Sequence, residues 1–598
     1  MSEVDKFINM LSADKPLALD TETNGLKWSK CGVCGYGVSD GIDVAYVPVR
    51  HGGGDNINDP VAFERSVGQI ISKRKTPLTL QNAKFDKHMC YNHGIEINNT
   101  KDTMVAGALL NENQFSFSLA NLCKNYPDIP QKKGKDLYEY LAGLFSGKPD
   151  AKQMGNYFKL SGTDNLGVEY ACGDNISTFL LSEKQKDQLS IQGLDKLFEL
   201  ENKLTHVLFK MERKGIKVDL ERFEAVKKQI TELHLEAYRN IPIGEDFEVI
   251  NVKSSKDLKK YFEWCGINEW PLNAPTDRFP EGSPSFNKRF LKTINEGLVI
   301  LEARKYDHLI SSFIEPLPNH IHNGRIHCNF NQTAGEYGGA KSGRLSSYEP
   351  NMQQIPKRDK FTGKIFRSMF VPDNDFIFVE FDYSQCEPRL FTHYSHEPTL
   401  IAGYNSIPYI DMHMVAAQYM NISRDIAKNL NLGMMYVMGY PSLAGHLNID
   451  VSEAKYMSQR WHRTFPEVSK FTKAAAKRAE ARGFVRTILG RRARFPDPRW
   501  SYRAANRIVQ GGSADILKYK MVELDQWLTD NNYHDVCQML LNIHDAILFQ
   551  VHKDHMHLLN DIERIMCDVR GEPFNLEVPF AVEYKQGVTW TEASYGTH

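Results

Sequence analysis

Two aspartates in the C-terminal half of the chain have the surroundings of paired metal ligands. Asp382 follows the apolar run from Phe376 to Val379, and Asp545 lies within a second apolar segment that begins at Met539. Each apolar run predicts a buried strand, so each strand delivers a carboxylate to its end. Two such carboxylates can hold divalent cations about 4 Å apart for in-line phosphoryl displacement. The alternative is that each aspartate is an ordinary turn residue.

The elements around these acids follow from local sequence signals. Ser384 and Glu387 stand in S-x-x-E spacing, which predicts a capping box at the start of a helix. Pro388 is compatible with the first turn of that helix. Two apolar arms flank His544 and Asp545, which predicts a β-hairpin with the acid at its bend. The first acid is therefore expected at a strand-to-helix corner and the second at a hairpin turn.

A second group of acids occupies the first 190 residues. Asp20 and Glu22 project from the same side of a predicted strand, because side chains alternate along an extended chain. Asp86 lies on a predicted helix, and Asp174 follows Tyr170 by one helical turn. Four acids can hold two metals, so that a metal-bound water attacks a terminal phosphodiester while the tyrosine orients it. The alternative is four unrelated surface acids.

Composition limits the classes of protein that are compatible with the chain. Its 598 residues predict several domains, and 41% hydrophobic with 25% charged residues is ordinary for a globular protein. The net charge of -1 does not itself indicate a nucleic-acid ligand, so local clustering of basic residues must carry that prediction. The N-terminus resembles no secretion signal, and no apolar run approaches the roughly 20 residues of a membrane span. A cytoplasmic protein without membrane contact is expected.

A helix between the two aspartate strands carries a stripe of candidate ligand-binding side chains. Four residues recur at intervals of four: Arg424, Lys428, Leu432 and Tyr436. Ser423 is a favourable N-cap, so the cationic end of the stripe coincides with the positive end of the helix dipole. That combination predicts a triphosphate site, to which His413 adds a donor. The alternative is an amphipathic helix with two solvated cations.

Polar and basic residues elsewhere are typical of contacts with DNA. The side chains of Arg, Asn and Gln can donate hydrogen bonds to the acceptors that every base pair presents in the minor groove. Candidates of this kind are Arg344, Asn351, Gln353, Arg358, Asn506 and Gln510. The basic stretch of residues 473–494 suits contact with a template backbone. Residues 191–330 predict long helices with a basic tip at about 250–292, which suits a clamp on duplex DNA; the alternative is an ordinary helical linker.

Taken in order, these stretches resemble the motifs of a DNA polymerase I type (family A) polymerase joined to a DEDD-type 3′–5′ exonuclease whose last motif carries tyrosine. DYSQCEPR resembles that family's motif A, RDIAKNLNLGMMYV its motif B and HDA its motif C. SGRLSSYEPNMQQIP and GFVRTILGRRARFPD resemble two further stretches. The resemblance covers nearly the whole chain. It implies an α/β multidomain fold, with an RNase H-like exonuclease domain and a right-hand polymerase domain of palm, fingers and thumb.

The resemblance also implies domain borders, metal ligands and cofactors. The implied domains are an exonuclease at 1–190, a thumb at 191–330, a palm at 331–404 and 501–598, and fingers at 405–500. Two Mg²⁺ or Mn²⁺ ions would be held by Asp382, Asp545 and the Tyr383 carbonyl. Two divalent ions (Mg²⁺, Mn²⁺ or Zn²⁺) would be held in the exonuclease by Asp20, Glu22, Asp86 and Asp174, with Tyr170 orienting the water.

Roles in binding nucleotide and DNA follow from the same resemblance. Glu387 resembles the gate that excludes a ribose 2′-hydroxyl, and Lys428 is a candidate acid for pyrophosphate. The incoming nucleotide would meet Arg424, Lys428, His413, Gln385, Leu432 and Tyr436. The DNA would meet Arg344, Asn351, Gln353, Arg358, Asn506, Gln510 and His544. Expected partners are primer-template DNA, dNTPs and a helicase-primase or other replisome protein, with the chain itself a monomer.

Several residues depart from the family pattern. Ala546 stands where glutamate is usual and Leu432 where an aromatic is usual, while Val437 replaces a glycine. Cys386 and Pro388 replace aliphatic residues beside the gate. The chain begins at the exonuclease, which is typical of compact bacteriophage replicative enzymes. The departures near the nascent pair lead to the hypothesis that a modified purine such as 2-aminoadenine is a natural substrate.

Two rival functions are compatible with parts of the pattern. A single-subunit RNA polymerase shares the palm chemistry, but Glu387 and the exonuclease motifs argue against it. A catalytically inert DNA-binding subunit with relic sites is the other rival. Primer extension with dNTPs and with NTPs separates the first from a DNA polymerase, and loss of extension on Asp382→Asn excludes the second.

Overall fold

The computed structural model describes residues 1–130, 134–244, 250–335 and 338–596. The chain forms two compact units. The first contains residues 1–214, 329–348 and 379–584, and the second contains residues 215–328, 349–378 and 585–598. Each unit is therefore assembled from segments that are distant in sequence, and both candidate sites built on acids lie in the first unit.

The N-terminal part of the first unit is built on a mixed five-stranded sheet of order β3-β2-β1-β4-β5. The central strand β1 pairs antiparallel with β2 and parallel with β4. The strands are β1 (Leu17–Thr23), β2 (Val33–Ser39), β3 (Val44–Pro48), β4 (Leu78–Leu80) and β5 (Thr100–Asp102). Because apolar side chains on both faces of β1 and β2 are buried, the sheet is covered on both sides.

Helices cover this sheet and continue beyond it. The first are α1 (Glu3–Ser12), α2 (Pro60–Ile71), α3 (Ala83–Tyr91), α4 (Thr103–Leu110) and α5 (Leu119–Cys123). They are followed by α6 (Gly134–Phe145), α7 (Asn165–Gln192) and α8 (Asp195–Lys214). Helix α7 begins at an N-cap, Asp164, whose side chain accepts from the Gly167 amide, and it ends at Gly193 in the left-handed conformation. The predicted helices that carry Asp86 and Asp174 are α3 and α7.

The second unit is mainly helical, as the sequence predicts for this region. Its elements are β6 (Ile216–Lys217), α9 (Leu220–Arg239), α10 (Ser255–Trp264), α11 (Lys288–Leu291), α12 (Asn295–Leu309), β7 (Ile321–His322), β8 (Arg325–Ile326), α13 (Lys360–Arg367) and α23 (Trp590–Tyr595). Strands β6, β8 and β7 form a small sheet in that order. Within residues 250–292, α10 is capped by Ser254 and is followed by short β-bridges such as Leu272 with Pro284.

The remaining strands belong to the C-terminal part of the chain. They are β9 (Asn329–Asn331), β10 (Ser346–Tyr348), β11 (Phe376–Tyr383), β12 (Phe484–Arg486), β13 (Arg492–Arg494), β14 (Cys537–Ile543), β15 (Ala546–His552) and β16 (Val582–Gly587). A four-stranded sheet has the order β14-β15-β11-β16. The predicted strand before the first aspartate is β11, and the predicted hairpin is β14 with β15.

Helices surround this second sheet. They are α14 (Cys386–Ser395), α15 (Pro398–Asn405), α16 (Met412–Met420), α17 (Arg424–Met435), α18 (Tyr440–Leu447), α19 (Val451–Thr464), α20 (Pro466–Arg482), α21 (Ala504–Asp530) and α22 (Leu558–Cys567). Pro388 lies in the first turn of α14, where a missing amide hydrogen has no cost to the helix ladder. Within the described residues, no helix combines the length and the apolar character needed to cross a membrane.

Candidate active site

The two C-terminal aspartates lie at the ends of neighbouring strands of one sheet. Asp382 is the penultimate residue of β11, and Asp545 occupies the two-residue turn between β14 and β15, whose last pair is Ile543 with Ala546. The Tyr383 amide donates a hydrogen bond to the Asp545 carbonyl over 3.3 Å, which places the two aspartates on adjacent segments. Carboxylates fixed in this way suit hard divalent cations. The hairpin and its acid are as the sequence predicts.

An arginine bridges the acids of this site. Arg344 Nη2 donates to Glu387 Oε1 over 2.5 Å and lies 3.4 Å from Asp545 Oδ1. The Tyr436 hydroxyl donates to the other Glu387 oxygen. Burial raises the pKa of the Glu387 carboxyl, and the charge of Arg344 opposes that rise. Arg344 is itself largely desolvated, but Asp545 and Glu387 raise its pKa overall. Hydrogen bonds and ion pairs thus connect the side chains of Arg344, Glu387, Tyr436 and Asp545 in one cluster.

The predicted capping box of Ser384 and Glu387 is wrong. Helix α14 begins at Cys386, and its N-cap is Gln385, which has a φ of +58° and makes no side-chain capping bond. The Glu387 carboxylate bonds to Arg344 instead, and the Ser384 amide donates to the Ala581 carbonyl. A tertiary ion pair thus replaces the local cap, because a buried carboxylate gains more from a guanidinium than from one amide.

A serine on α21 supports the hairpin aspartate. Ser513 Oγ donates to Asp545 Oδ1 over 3.4 Å, and the Cys386 thiol donates to Ser513 Oγ over 3.1 Å. Ala546, where the family pattern has an acid, is the buried first residue of β15. Sequence reasoning missed Ser513, since its contact joins residues that are 32 apart and lie on different elements.

The N-terminal end of α17 carries the predicted cationic stripe. Ser423 Oγ accepts from the Ile426 amide, as an N-cap does, and Arg424 and Lys428 are exposed one turn apart. Arg424 donates to Asp411 Oδ2 over 2.7 Å, and Gln385 donates to the same oxygen over 2.7 Å. Leu432 and Tyr436 are half-buried further along the stripe. Asp411, which the sequence analysis did not include, therefore joins two predicted ligand residues.

His413 has a tautomer that the surrounding hydrogen bonds determine. The Trp461 indole can only donate, and it donates to Asn431 Oδ1 over 2.7 Å. Asn431 Nδ2 therefore faces the Met412 carbonyl and His413 Nδ1, at 3.1 and 3.0 Å. With Nδ1 accepting, the neutral ring carries its proton on Nε2. Burial lowers the pKa of His413, which keeps the ring neutral at pH 7 and leaves one N–H donor.

A strained valine follows the C-terminal end of α17. Val437 has a φ of +53°, in the left-handed region that β-branched residues disfavour. Its amide donates to the Met434 carbonyl, and the Met438 amide donates to the Gly433 carbonyl. These two bonds define a Schellman motif, in which glycine is the usual residue at the position of Val437. The departure from the family pattern at this position thus has a measurable conformational consequence.

The N-terminal acids form a second cluster. Among the described residues, ligand atoms of Asp20, Glu22 and Asp174 all lie within 4.8 Å of one another, an arrangement that can hold a metal ion. Asp86 is not part of that set. It is 1% exposed, and Asp86 Oδ1 accepts from the Thr21 amide over 3.2 Å and from the Thr21 hydroxyl over 2.6 Å. Burial raises the pKa of Asp86, and the Asp20 charge adds to the rise.

Tyr170 lies one turn before Asp174 on α7, as predicted. It is 5% exposed, and burial raises the pKa of its hydroxyl, with the Asp174 charge adding to the rise. A hydroxyl that stays protonated can donate a hydrogen bond to a nucleophilic water. A cavity of about 320 Å³ adjoins Asp20 and Asp174, which is enough space for a small ligand.

The predicted DNA-contact residues fall into both units. Asn506 and Gln510 share a partly exposed face of α21, and His544 is exposed in the β14–β15 turn with a φ of +56°. Three others lie in the second unit: Asn351, Gln353 and Arg358. Asn351 caps a short 3₁₀ helix there by accepting from the Gln353 amide, and Arg358 is exposed.

Protein-family models match both parts of the chain. Residues 220–592 match DNA polymerase family A, and residues 1–190 match a 3′–5′ exonuclease. Both acid clusters lie inside the matched ranges, one in each. The two matches leave residues 191–219 between them.

Similar proteins come from bacteria and from bacteriophages. DNA polymerase I of Synechocystis sp. is 30% identical over 99% of this chain, which spans 61% of that relative. DNA polymerase DpoZ of Salmonella phage PMBT28 is 30% identical, covering 88% of this chain and 89% of the relative. DpoZ of Acinetobacter phage SH-Ab 15497 is 28% identical, covering 95% of each.

A solved structure has the same fold. The POL domain of Pol1 from M. smegmatis, in complex with DNA primer-template and dNTP, superposes with a TM-score of 0.81 and covers 99% of both chains. Its sequence identity is 22%, so the likeness establishes the fold.

Proposed function

Because this chain belongs to DNA polymerase family A and carries a 3′–5′ exonuclease domain, we propose that it extends a DNA primer on a DNA template with dNTPs and removes mispaired 3′ ends. The observation that carries the proposal is the pair of acid clusters. One contains Asp382 and Asp545 at adjacent strand ends, and the other contains Asp20, Glu22 and Asp174. Primer extension and hydrolysis of the 3′ end are different reactions. Each therefore needs its own cluster of acids.

In the polymerase site, Asp382, Asp545 and the Tyr383 carbonyl would hold two divalent ions. Bound Mg²⁺ or Mn²⁺ would lower the pKa of the primer 3′-hydroxyl and would neutralise charge on the triphosphate. Arg424 and Lys428 bind the triphosphate at the N-terminus of α17, where the helix dipole adds to their charge. Lys428 supplies a proton to the leaving pyrophosphate.

The remaining nucleotide contacts set the position and identity of the sugar and base. His413 donates from Nε2 to the triphosphate, a direction that Asn431 and Trp461 support. Glu387, held between Arg344 and Tyr436, stands as the gate against a ribose 2′-hydroxyl. Gln385, Leu432 and Tyr436 contact the incoming nucleotide. On the DNA side, the contacts are Arg344, Asn351, Gln353, Arg358, Asn506, Gln510 and His544.

The exonuclease site would hold two divalent ions (Mg²⁺, Mn²⁺ or Zn²⁺) on Asp20, Glu22, Asp86 and Asp174. Three of these acids already lie within 4.8 Å of one another, which supports a site built for cations. Tyr170 donates a hydrogen bond to the water that attacks the terminal phosphodiester. Thr21 holds Asp86 in place through two hydrogen bonds to one carboxylate oxygen.

The domain and biological assignments belong to the same proposal. The division is an exonuclease at 1–190, a thumb at 191–330 with its basic tip at about 250–292, a palm at 331–404 and 501–598, and fingers at 405–500. Similarity to phage DNA polymerases over nearly the whole chain supports a role in phage genome replication. The proposal includes that the chain acts as a monomer in the bacterial cytoplasm. A helicase-primase or another replisome protein is the proposed partner in that role.

A primer extension and degradation assay on single variants tests the two activities. Asp382→Asn is expected to lose synthesis while retaining degradation, and Asp20→Ala is expected to lose only degradation. Asp187→Asn, an exposed acid on α7, is the matched control and retains both. Extension by wild type with NTPs as efficient as with dNTPs, or full extension by Asp382→Asn, would contradict the assignment.

A modified purine such as 2-aminoadenine is a narrower substrate proposal. Val437 and Leu432, both departures from the family pattern, lie at the end of α17 that carries Tyr436, and Val437 is conformationally strained. Single-nucleotide incorporation opposite thymine, measured with dATP and with its 2-amino analogue, is expected to favour the analogue. Equal incorporation of the two, with and without the Asp20→Ala substitution, would rule out this preference.

A further inference from the structure

One segment of the polymerase part runs from the exonuclease cleft to the polymerase acids. We call residues 329–335 and 338–344 the strap. It begins with β9 and ends at Arg344, and all of it lies within the range that matches the polymerase family. Both ends of the strap belong to the first unit, and so do both acid clusters. The strap is therefore a polymerase segment that is in a position to serve the exonuclease.

The exonuclease cleft has walls of two different origins. Asp20, Asp174 and Phe117 line the cavity of about 320 Å³ from the exonuclease part. Strap residues also line it: Asn331, Thr333, Ala334, Gly335 and Gly338. A Cβ atom added at Gly335 would lie 3.6 Å from Phe117 Cδ2, which is ordinary van der Waals distance. Polymerase sequence therefore contributes part of the lining of the cleft that contains the exonuclease acids.

Buried polar contacts fix the N-terminal end of the strap. Lys84 donates to the Phe330 carbonyl, and the Phe330 amide donates to Glu212 Oε1 over 2.5 Å. Lys84 also pairs with Glu212 over 2.5 Å. Because Lys84 and Asp86 share helix α3, the strap is attached to the element that carries one of the exonuclease acids.

Gln332 is fixed from three directions. Its Nε2 donates to Glu201 Oε2 over 2.6 Å, its Oε1 accepts from the Thr205 hydroxyl over 2.9 Å, and its carbonyl accepts from Lys518 over 3.2 Å. Glu201 and Lys518 are each 1% exposed and pair over 2.8 Å. Contacts made by buried charged groups are strong and directional, so the adjacent residue Thr333 is presented to the cleft in a defined position.

The C-terminal end of the strap reaches the polymerase cluster. Lys341 donates to Asn113 Oδ1 over 3.1 Å. A Cβ atom at Gly343 would lie 2.7 Å from Arg491 Nε, so only glycine permits this approach at its φ of +88°. Arg344 follows directly and bonds to Glu387 and Asp545. The strap thus has one end in each site.

We propose that the strap forms the wall of the exonuclease cleft that holds the unpaired 3′-terminal nucleotides of a DNA strand, and that Asn331, Thr333 and Gly335 are positioning residues for that substrate. This inference rests on the proposed exonuclease activity. Its basis is the cavity of nucleotide scale lined by both strap residues and acids, the polar side chains of Asn331 and Thr333 in that lining, and the hydrogen bond that fixes Gln332 to the buried Glu201.

Gly335→Phe is the variant that tests the wall directly. An aromatic side chain at Gly335 projects toward Phe117 and narrows the cleft without backbone strain, since Gly335 has no left-handed φ. The KM for a single-stranded oligonucleotide is expected to rise roughly tenfold at nearly unchanged kcat. Hydrolysis of the 4-nitrophenyl ester of thymidine 5′-phosphate, a probe that needs the acids but has no strand to position, is expected to stay within about twofold of wild type.

Gly143→Phe is the matched control. Gly143 is exposed on α6, and a Cβ atom there meets nothing within 4 Å, so the same bulk is added to the same module away from the cleft. It is expected to behave as wild type with both substrates. Primer extension by each variant in an Asp20→Ala background reports whether the polymerase part is folded.

Gln332→Ala tests the clamp independently. Loss of the Gln332 side chain removes the strap's hydrogen bonds to Glu201 and Thr205, while Glu201 keeps Lys518 and Arg491 as partners. The expected result is a roughly fivefold fall in kcat/KM for the oligonucleotide and no change for the ester. Gln153→Ala removes a buried glutamine that holds a loop at Ser146 and Lys148, and serves as its control.

The outcomes separate this inference from the proposed function. A wild type that is inactive on both the oligonucleotide and the ester would contradict both. An active wild type together with unchanged KM in Gly335→Phe and Gln332→Ala would overturn the strap alone. An equal loss of kcat on the ester would also contradict the proposal, because it would place Gly335 against the reacting phosphate rather than along the strand.

Discussion

The two acid clusters of this chain are organised by different electrostatics. In the polymerase site, Arg344 lies between Glu387 and Asp545, so an internal cation balances the acids. In the exonuclease site, Asp20, Glu22 and Asp174 converge within 4.8 Å, and the nearby Asp86 is buried and has a raised pKa. One cluster contains a cation that the protein itself supplies, whereas three carboxylates converge in the other.

This difference has a consequence for how each site accepts cations. Convergent carboxylates repel one another, and a divalent ion that binds among them relieves the repulsion. In the polymerase site, by contrast, Arg344 Nη2 already lies 3.4 Å from Asp545 Oδ1, so a positive charge adjoins that carboxylate before any cation binds. The three exonuclease acids thus form a group that can hold a metal ion, whereas one acid of the polymerase site already adjoins a guanidinium.

Removing the internal cation is expected to have a large effect on both stability and activity. In Arg344→Leu, Glu387 loses its buried partner, and an uncompensated buried charge costs about 3–5 kcal/mol. Primer extension should fall on the order of 100-fold, while degradation of single-stranded DNA is unchanged. Arg499→Leu removes an exposed arginine paired with Asp497 and is the control. Near-normal extension by Arg344→Leu would show that the polymerase acids need no internal counter-charge.

Removing one exonuclease acid tests the other half of the comparison. Asp86→Asn keeps an oxygen that accepts both hydrogen bonds from Thr21, but removes the charge near Asp20. Degradation should fall on the order of 100-fold. Without metal, the melting temperature should equal or exceed that of wild type, because repulsion is relieved. In EDTA, a melting temperature of Asp86→Asn below that of the control Asp187→Asn would contradict the prediction that repulsion between the exonuclease acids destabilises the metal-free chain.

The smallest expected effect is on the stability of the chain, and it comes from the backbone that follows α17. Val437→Gly relieves left-handed strain at the Schellman motif and is expected to stabilise the chain by about 1 kcal/mol. Val451→Gly, at the exposed first turn of α19, should instead destabilise by up to about 1 kcal/mol. Urea unfolding of both variants measures the difference. Destabilisation by Val437→Gly would mean that packing of the valine outweighs its backbone strain.

Local signals predicted the elements that carry the chemistry. The apolar runs before Asp382 and around Asp545 are strands of one sheet, and Ser423 caps α17 as its position predicts. Asp20 and Glu22 share one side of β1. These features depend on strand alternation and helix capping, which act within a few residues and are therefore readable from the sequence.

Contacts over long sequence separations were not predictable in the same way. The S-x-x-E spacing at Ser384 indicated a cap, but Glu387 is taken by Arg344, 43 residues away. Asp411, Asn431 and Ser513 support the predicted ligands through tertiary hydrogen bonds that no spacing reveals. The strap lines a cleft whose acids lie more than 150 residues earlier in the chain, and no periodicity connects the two.

The position of the strap in the chain also sets an order of events during synthesis. The exonuclease acids are complete once Asp174 has been made, but the strap residues that line the cleft arrive only with residues 331–335 and 338, and one contact that fixes Gln332 needs Lys518. At about 5–20 residues per second, the ribosome takes tens of seconds to cover that interval. With the strap in its proposed role, a nascent chain therefore carries the exonuclease acids for some time before it carries the residues that position the DNA strand.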